Sequence, residues 1–131
     1  MCRSPQELHK KMAVGSENDK KIKRLGKAGE YKACAYLKKQ GYKIIKRNYK
    51  NPFGEVDIIA GKEGVIAFIE VKTRRSDNFG QPSEAVNSNR RGRYVNAANY
   101  YFTGRQIDCV VRFDIIEILN GEINHIENAF Y

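Results

Sequence analysis

Asp57, Glu70 and Lys72 lie inside two runs of mostly branched aliphatic residues, Gly54-Glu55-Val56-Asp57-Ile58-Ile59 and Val65-Ile66-Ala67-Phe68-Ile69-Glu70-Val71-Lys72. A carboxylate in such surroundings is costly unless a cation or a hydrogen-bond network holds it. Both runs have strand length, and the turn Gly61-Lys62-Glu63-Gly64 joins them closely enough to pair. Alternation then puts Glu55, Asp57 and Ile59 on one face of the first strand, and Phe68, Glu70 and Lys72 on one face of the second. Two acids and a lysine meeting there could serve the hydrolysis of a phosphodiester. That reaction needs a hard cation to neutralise phosphate oxygens and acidify an attacking water. Magnesium takes oxygen ligands and keeps several waters, so one or two carboxylates suffice. Lys72 would orient the water or stabilise developing charge, and its ammonium would offset repulsion between the coupled acids. The blander alternative is a surface ion pair contributing roughly 0–1 kcal/mol. The bare pattern D-x12-E-x-K is short enough to recur by chance.

The surrounding pattern defines the elements that must position these residues. Ser16 or Asn18, with Glu17 and Asp19, opens a helix. Ile22, Leu25, Gly29, Ala33, Tyr36 and Leu37 then recur at steps of three and four as one apolar stripe, with Glu30 at its border and Gly41 ending the helix. Tyr42–Tyr49 reads as a strand, Asn51-Pro52-Phe53-Gly54 as a turn, and Glu55–Ala60 and Val65–Thr73 as the next strands of an antiparallel meander. Residues 74–87 form a basic loop marked by Gly80 and Pro82. Ser88 caps a second helix that runs to about Phe102, with Tyr94, Ala97, Ala98 and Tyr101 inward and Gly104 stopping it. Val110–Leu119 is a strong strand, Asn120-Gly121 a hairpin signal, and Glu122–Asn128 an edge strand. The predicted class is α/β: an αβββαβ core, a mixed sheet flanked by helices, with a C-terminal hairpin strand. Residues 1–17 show no periodicity and read as a disordered extension, and residues 18–131 as a single domain.

At 131 residues the chain supports one core of ordinary size. Cys2, Cys34 and Cys109 are an odd, widely spaced set, giving neither a disulfide framework nor a zinc pattern. The N-terminal residues contain no continuous apolar segment of the secretory type, and no run reaches the length of a membrane span. The expectation is a soluble cytoplasmic protein that does not engage a membrane. Net charge is +9 and unevenly spread. Residues 1–51 hold 15 Lys or Arg against 4 Asp or Glu, and residues 74–105 hold 6 against 2, whereas residues 52–73 hold 2 against 4. Basic segments therefore flank the acidic strand pair, an arrangement that draws a polyanion toward carboxylates needing a metal to tolerate it. Lysines merely solvating a helix face are the alternative.

A longer series carries a family resemblance. Gly26…Gly29-Glu30, Ala33…Tyr36-Leu37, Gly41-Tyr42, Asn48-Tyr49, Gly54-Glu55-Val56-Asp57, Phe68…Glu70-Val71-Lys72-Thr73-Arg74, Phe79-Gly80…Pro82, Ala85-Val86 and Arg112-Phe113-Asp114 together resemble the YraN-like family of bacterial proteins, over about residues 20–118. That family is similar to the PD-(D/E)xK nuclease superfamily, above all to archaeal Holliday-junction resolvases. The resemblance implies a restriction-endonuclease-like core of the element order read above, and magnesium or manganese as cofactor. It implies Asp57 as the motif aspartate, Glu70 as the second acid, Lys72 as the motif lysine and Glu30 as an accessory glutamate from the first helix. It further implies the backbone carbonyl of Val71 as a metal ligand, and resolvase kinship implies a homodimer. Arg90 stands where relatives are expected to carry lysine, and Asn89 and Gly92 soften the start of that helix.

The implied activity is metal-dependent cleavage of DNA, in preference to RNA, at branched or flapped structures. Arg74, Arg75, Arg90, Arg91 and Arg93 would hold backbone phosphates, which positions without reading sequence; a solvated loop and helix end are the alternative. Tyr94, Tyr100 and Tyr101 read as core packing at helical spacing, with base stacking as the other choice. Phe79-Gly80 is a loop aromatic that meets substrate or packs on the second helix, and Glu55 is an outer acid or a charged strand end. Asp114 is expected to pair with Arg112 or another base, while His9 and His125 have no partner acid at useful spacing. Two rival functions use the same residues: a non-catalytic module that binds nucleic acid or recruits a helicase, and an interaction subunit for an acidic protein partner.

Overall fold

The computed structural model describes the backbone of residues 17–74 and 88–129, with side chains for 26–74 and 91–129. The expectations for residues 1–16, Arg75, Phe79, Gly80 and Pro82, and for the side chain of Arg90, lie outside the described residues. Helix α1 (Glu17–Lys39) precedes strands β1 (Lys43–Asn51), β2 (Gly54–Lys62) and β3 (Val65–Arg74). Helix α2 (Ser88–Tyr101) and strands β4 (Val110–Leu119) and β5 (Glu122–Ile126) follow. The strands make one sheet in the order β1-β2-β3-β4-β5. β1, β2 and β3 are an antiparallel meander, β4 joins β3 in parallel, and β5 returns antiparallel on β4. The fold is therefore mixed α/β, a five-stranded mixed sheet flanked by two helices, consistent with a restriction-endonuclease-like core. Among the described residues no helix is long and apolar enough to cross a membrane.

Local chemistry explains where the strands end. Glu63 (φ 49) and Gly64 (φ 79) both take left-handed conformations, so the turn needs only those two residues and β2 runs on through Lys62. Asn120 (φ 51) and Gly121 (φ 84) repeat this between β4 and β5. β5 stops at Ile126, short of the expected Asn128, because Asn128 turns to φ 56 and donates its N–H to Asp114 at 3.0 Å.

Alternation along the central strands divides the core into two layers. Ile58 and Ile69 pack with Ala33 and Leu37 of α1, while Ile59 and Phe68 pack with Tyr94, Ala98 and Tyr101 of α2. Burying each such large side chain contributes on the order of 1.5–3 kcal/mol. Phe68 also receives the ring edges of Tyr101 and Phe102 at centroid distances of 5.8 and 6.1 Å. α1 approaches β3 so closely that a Cβ at Gly29 would overlap the Thr73 hydroxyl. Strict alternation fails once: Val56 and Ile59, three apart, enter the same α2 layer.

Asp114 on β4 is fully buried and heavily bonded. It accepts from Arg112 Nε at 2.9 Å and from Arg112 Nη2 and His125 Nε2 at 2.8 Å each, besides the Asn128 N–H. Arg112 also donates to the Tyr42 hydroxyl at 2.5 Å, and the Tyr36 hydroxyl meets His125 Nδ1 at 3.1 Å. The carboxylate on Nε2 fixes the proton there and leaves Nδ1 to accept from Tyr36, a tautomer assigned from the network. The expected Asp114–Arg112 pair is present. The expectation for His125 is corrected: it has a partner acid, because β5 folds back on β4 and sets His125 opposite Ile116, two residues from Asp114.

Candidate functional site

β2 and β3 pair from Lys62↔Val65 to Ile58↔Ile69, and there their ladder stops. Beyond that point β2 continues along β1 to Asn51↔Gly54, and β3 continues along β4 to Arg74↔Leu119. The sheet thus splits between its second and third strands. Asp57 and Glu70 are the residues at the split. The next amide of β3, the Val71 N–H, donates to Asp57 Oδ2 at 2.8 Å instead of to the facing backbone. Asp57 and Glu70 open to the α2 side, where they line a cleft of about 220 Å³ with Glu55, Arg93 and Tyr94. The predicted sharing of one face by the two acids is what the structure contains.

Glu30 reaches the same neighbourhood from α1. The link is Asn48 on β1, which takes φ 52, a left-handed conformation that asparagine tolerates better than most residues. With its amide nitrogen turned toward the carboxylates, Asn48 donates to Glu30 at 3.1 and 3.3 Å and to Glu55 Oε2 at 3.1 Å. Sequence reasoning gave Asn48 no role. Its signals were its type and its place in the Asn48-Tyr49 pair of the resemblance series, but the bond itself depends on a backbone angle set by β1 and β2 together.

Of the four carboxylates in this region, Asp57 and Glu30 are held above their ordinary values. Burial pushes Asp57 up to about 7, against the Val71 N–H bond, and the nearby charges of Glu30, Glu70 and Glu55 push the same way. Burial also raises the Glu30 carboxyl; the Asn48 bond opposes this, Glu55 adds to it, and Arg47 and Lys27 oppose it. Lys72 Nζ lies 3.9 Å from Glu70 Oε2, with both side chains largely buried. Among the described residues no three His, Cys, Asp or Glu side chains converge closely enough to cage an ion unaided. The donors present are nonetheless all carboxylate oxygens, the set that suits magnesium or manganese with water completing the shell. Burial first, and the neighbouring charges second, lift Asp57, and a divalent cation held by these carboxylates would relieve both.

The basic residues divide. Arg93 lines the cleft, and Arg91 is exposed on the same helix. Arg74 instead turns toward β4, its Nε 4.0 Å from Glu117 Oε2. Of the tyrosines, Tyr94 and Tyr101 are buried as core packing predicts, but Tyr100 is half exposed.

The model of "Uncharacterised protein family UPF0102" matches residues 29–118, which span the whole cleft. The chain belongs to this family. A UPF0102 protein of Thermodesulfovibrio yellowstonii is 47% identical over 107 residues, covering 82% of this chain and 96% of the relative. One from Bacteroides thetaiotaomicron is 48% identical over 111 residues, covering 82% and 92%. The UPF0102 match agrees with the YraN-like resemblance read from the sequence, while β5 with His125 lies beyond the matched span.

Proposed function

We propose that this UPF0102 protein is a metal-dependent endonuclease that hydrolyses phosphodiester bonds in DNA, at branched or flapped structures, in the cytoplasm. One observation carries the reading: β2 and β3 diverge at Asp57 and Glu70, opening an acidic cleft with Lys72 beside Glu70 and Arg93 on its wall. Asp57 and Glu70, with the Val71 carbonyl, would hold magnesium or manganese, and Glu30 would assist from α1. The bound cation would neutralise phosphate oxygens and lower the pKa of an attacking water.

The chain's own groups do the rest. The Val71 N–H fixes the Asp57 carboxylate so that it is presented without reorganisation. Asn48 tethers Glu30 and Glu55 at the rim. Lys72 brings a positive charge to the point where negative charge grows on the phosphate, and it orients the water. Arg93 and Arg91 on α2 draw the backbone in by charge.

The test offers linear, flapped and four-way fluorescent DNA with magnesium or manganese. At least one should be cut, and Asp57→Ala and Lys72→Ala should each lower cutting by roughly 100-fold or more while keeping DNA binding, as loss of one transition-state stabiliser does. Binding without cutting, indifferent to both substitutions, would make the protein a nucleic-acid-binding module instead. No binding at low salt would remove nucleic acid from the account.

A further inference from the structure

Two exposed aromatic rings pair beside a small recess that shares Glu55, Arg93 and Tyr94 with the acidic cleft. Phe53, in the β1–β2 turn, is 41% exposed, and Tyr100, on α2, is 48% exposed; their centroids lie 6.3 Å apart at 72°. Their exposure is selective, because Tyr94 and Tyr101 on the same helix are buried. The turn holds Phe53 in place. Asn51 Oδ1 accepts the Phe53 N–H at 2.9 Å, Asn51 Nδ2 donates to the Tyr49 carbonyl at 3.3 Å, and Gly54 takes φ +132, which favours glycine. Gly54 lies against Arg93, whose Cδ would be 3.9 Å from a Cβ built there. Glu55, Arg93 and Tyr94 line both the acidic cleft and a small recess beside Phe53. Glu55 and Arg93 therefore connect the acidic cleft to the recess that Phe53 lines, with Tyr100 against Phe53.

We propose that Phe53 and Tyr100 form a stacking platform for an unpaired DNA base next to the phosphodiester held over the acidic cleft. The inference rests on the nuclease reading and deepens it by naming what the substrate must offer. An intact duplex hides its base faces in the stack, whereas a flap, gap or junction exposes one. Stacking a base on an aromatic side chain strengthens binding and tolerates any base. Arg93, between platform and acids, is placed to hold the intervening phosphate, giving position without sequence preference. The chain's net charge of +9 complements that ligand.

The experiment uses the full chain with calcium in place of magnesium, so that binding is read without cutting. The probes are a flap carrying 2-aminopurine at its first unpaired position, the same flap with an abasic site there, and the matched duplex. The base-bearing flap should bind about 10-fold tighter than the abasic one, about 1.4 kcal/mol, with its fluorescence quenched. Phe53→Ala/Tyr100→Ala should bind both flaps alike, whereas Tyr100→Phe should keep the preference, because stacking uses the ring. Both positions are exposed, and unchanged melting temperatures would verify folding. Equal binding of the two flaps by the unsubstituted protein, or a preference surviving in the double variant, would overturn the platform. A matched RNA flap bound more tightly than the DNA one would overturn the assignment to DNA. Loss of the nuclease reading alone would look different: the base preference intact, with no cutting when magnesium is restored. No binding to any probe would overturn both.

Discussion

Asp57 combines burial, an amide bond from Val71 and three neighbouring carboxylates, so its negative charge is a cost to folding that a bound cation would relieve. Replacing it with Asn keeps an acceptor for the Val71 N–H and removes the charge. In chelator at pH 8, Asp57→Asn should therefore raise the melting temperature by several degrees, about what 1–2 kcal/mol does in a domain this size. Magnesium should raise the melting temperature of the unsubstituted chain and not that of the variant. A variant that melts lower in chelator would mean the charge is stabilising and the site needs no cation. Asp114 is the opposite case. Burial alone would raise it, but the bonds from His125, Arg112 and the Asn128 N–H outweigh burial and hold it below its ordinary 3.8. A depressed folded value means its stabilisation is full above the unfolded pKa and is lost as pH falls through the folded one, below about pH 4. Asp114→Asn should cost roughly 3–5 kcal/mol at pH 7, since it strands Arg112 and His125, and should flatten the acid limb of urea unfolding measured from pH 3 to 7. A steep acid limb surviving in the variant would place that titration elsewhere. At this scale the sequence disclosed what lies close along the chain: Asp114 with Arg112, two residues away, and Glu70 with Lys72. His125 and Asn48 stayed hidden because one contact needs β5 to fold back and the other needs a left-handed backbone angle.

At the scale of elements, the packing of α1 on β3 turns on Gly29. In a helix exposed to solvent, Gly→Ala would gain about 1 kcal/mol from propensity. Here the added methyl would overlap the Thr73 hydroxyl, so the sign reverses and Gly29→Ala should cost about 1–3 kcal/mol in denaturant unfolding. Thr73→Ala removes the obstructing oxygen, and the double variant should recover most of that loss. Strictly additive losses would show that some other contact sets the approach of helix to strand. The order of helices and strands was legible because each boundary carries its own chemistry: Gly41 after α1, Asn120-Gly121 between β4 and β5, and alternating aliphatics along β2 and β3. The split between β2 and β3 was not. Both strands read as uninterrupted, and the break exists because the Asp57 carboxylate takes the amide that would have continued the ladder. The same region holds the lapse in alternation at Val56 and Ile59. The pattern of types fixed which residues share a face, while the opening that makes them accessible depends on pairing choices no local period encodes.

Over the whole molecule, the charges pull in two directions. Basic segments before β2 and around α2 would attract a polyanion, and the carboxylates at the sheet split would repel it. Affinity should then depend on both salt and divalent cation. In fluorescence anisotropy from 50 to 300 mM salt, the logarithm of the binding constant should fall linearly with the logarithm of salt, with a slope of about −0.9 for each phosphate neutralised on duplex DNA. Arg93→Ala should weaken binding to every probe and make the slope shallower by about one phosphate. Phe53→Ala/Tyr100→Ala should lower affinity for unpaired DNA and leave the slope unchanged, because stacking releases no counterions. The two variants thus separate charge from stacking. A slope near zero would mean that the +9 charge contacts no phosphate and solvates the surface instead. A slope unmoved by Arg93→Ala would shift the phosphate contacts to another face of the protein, away from the acidic cleft.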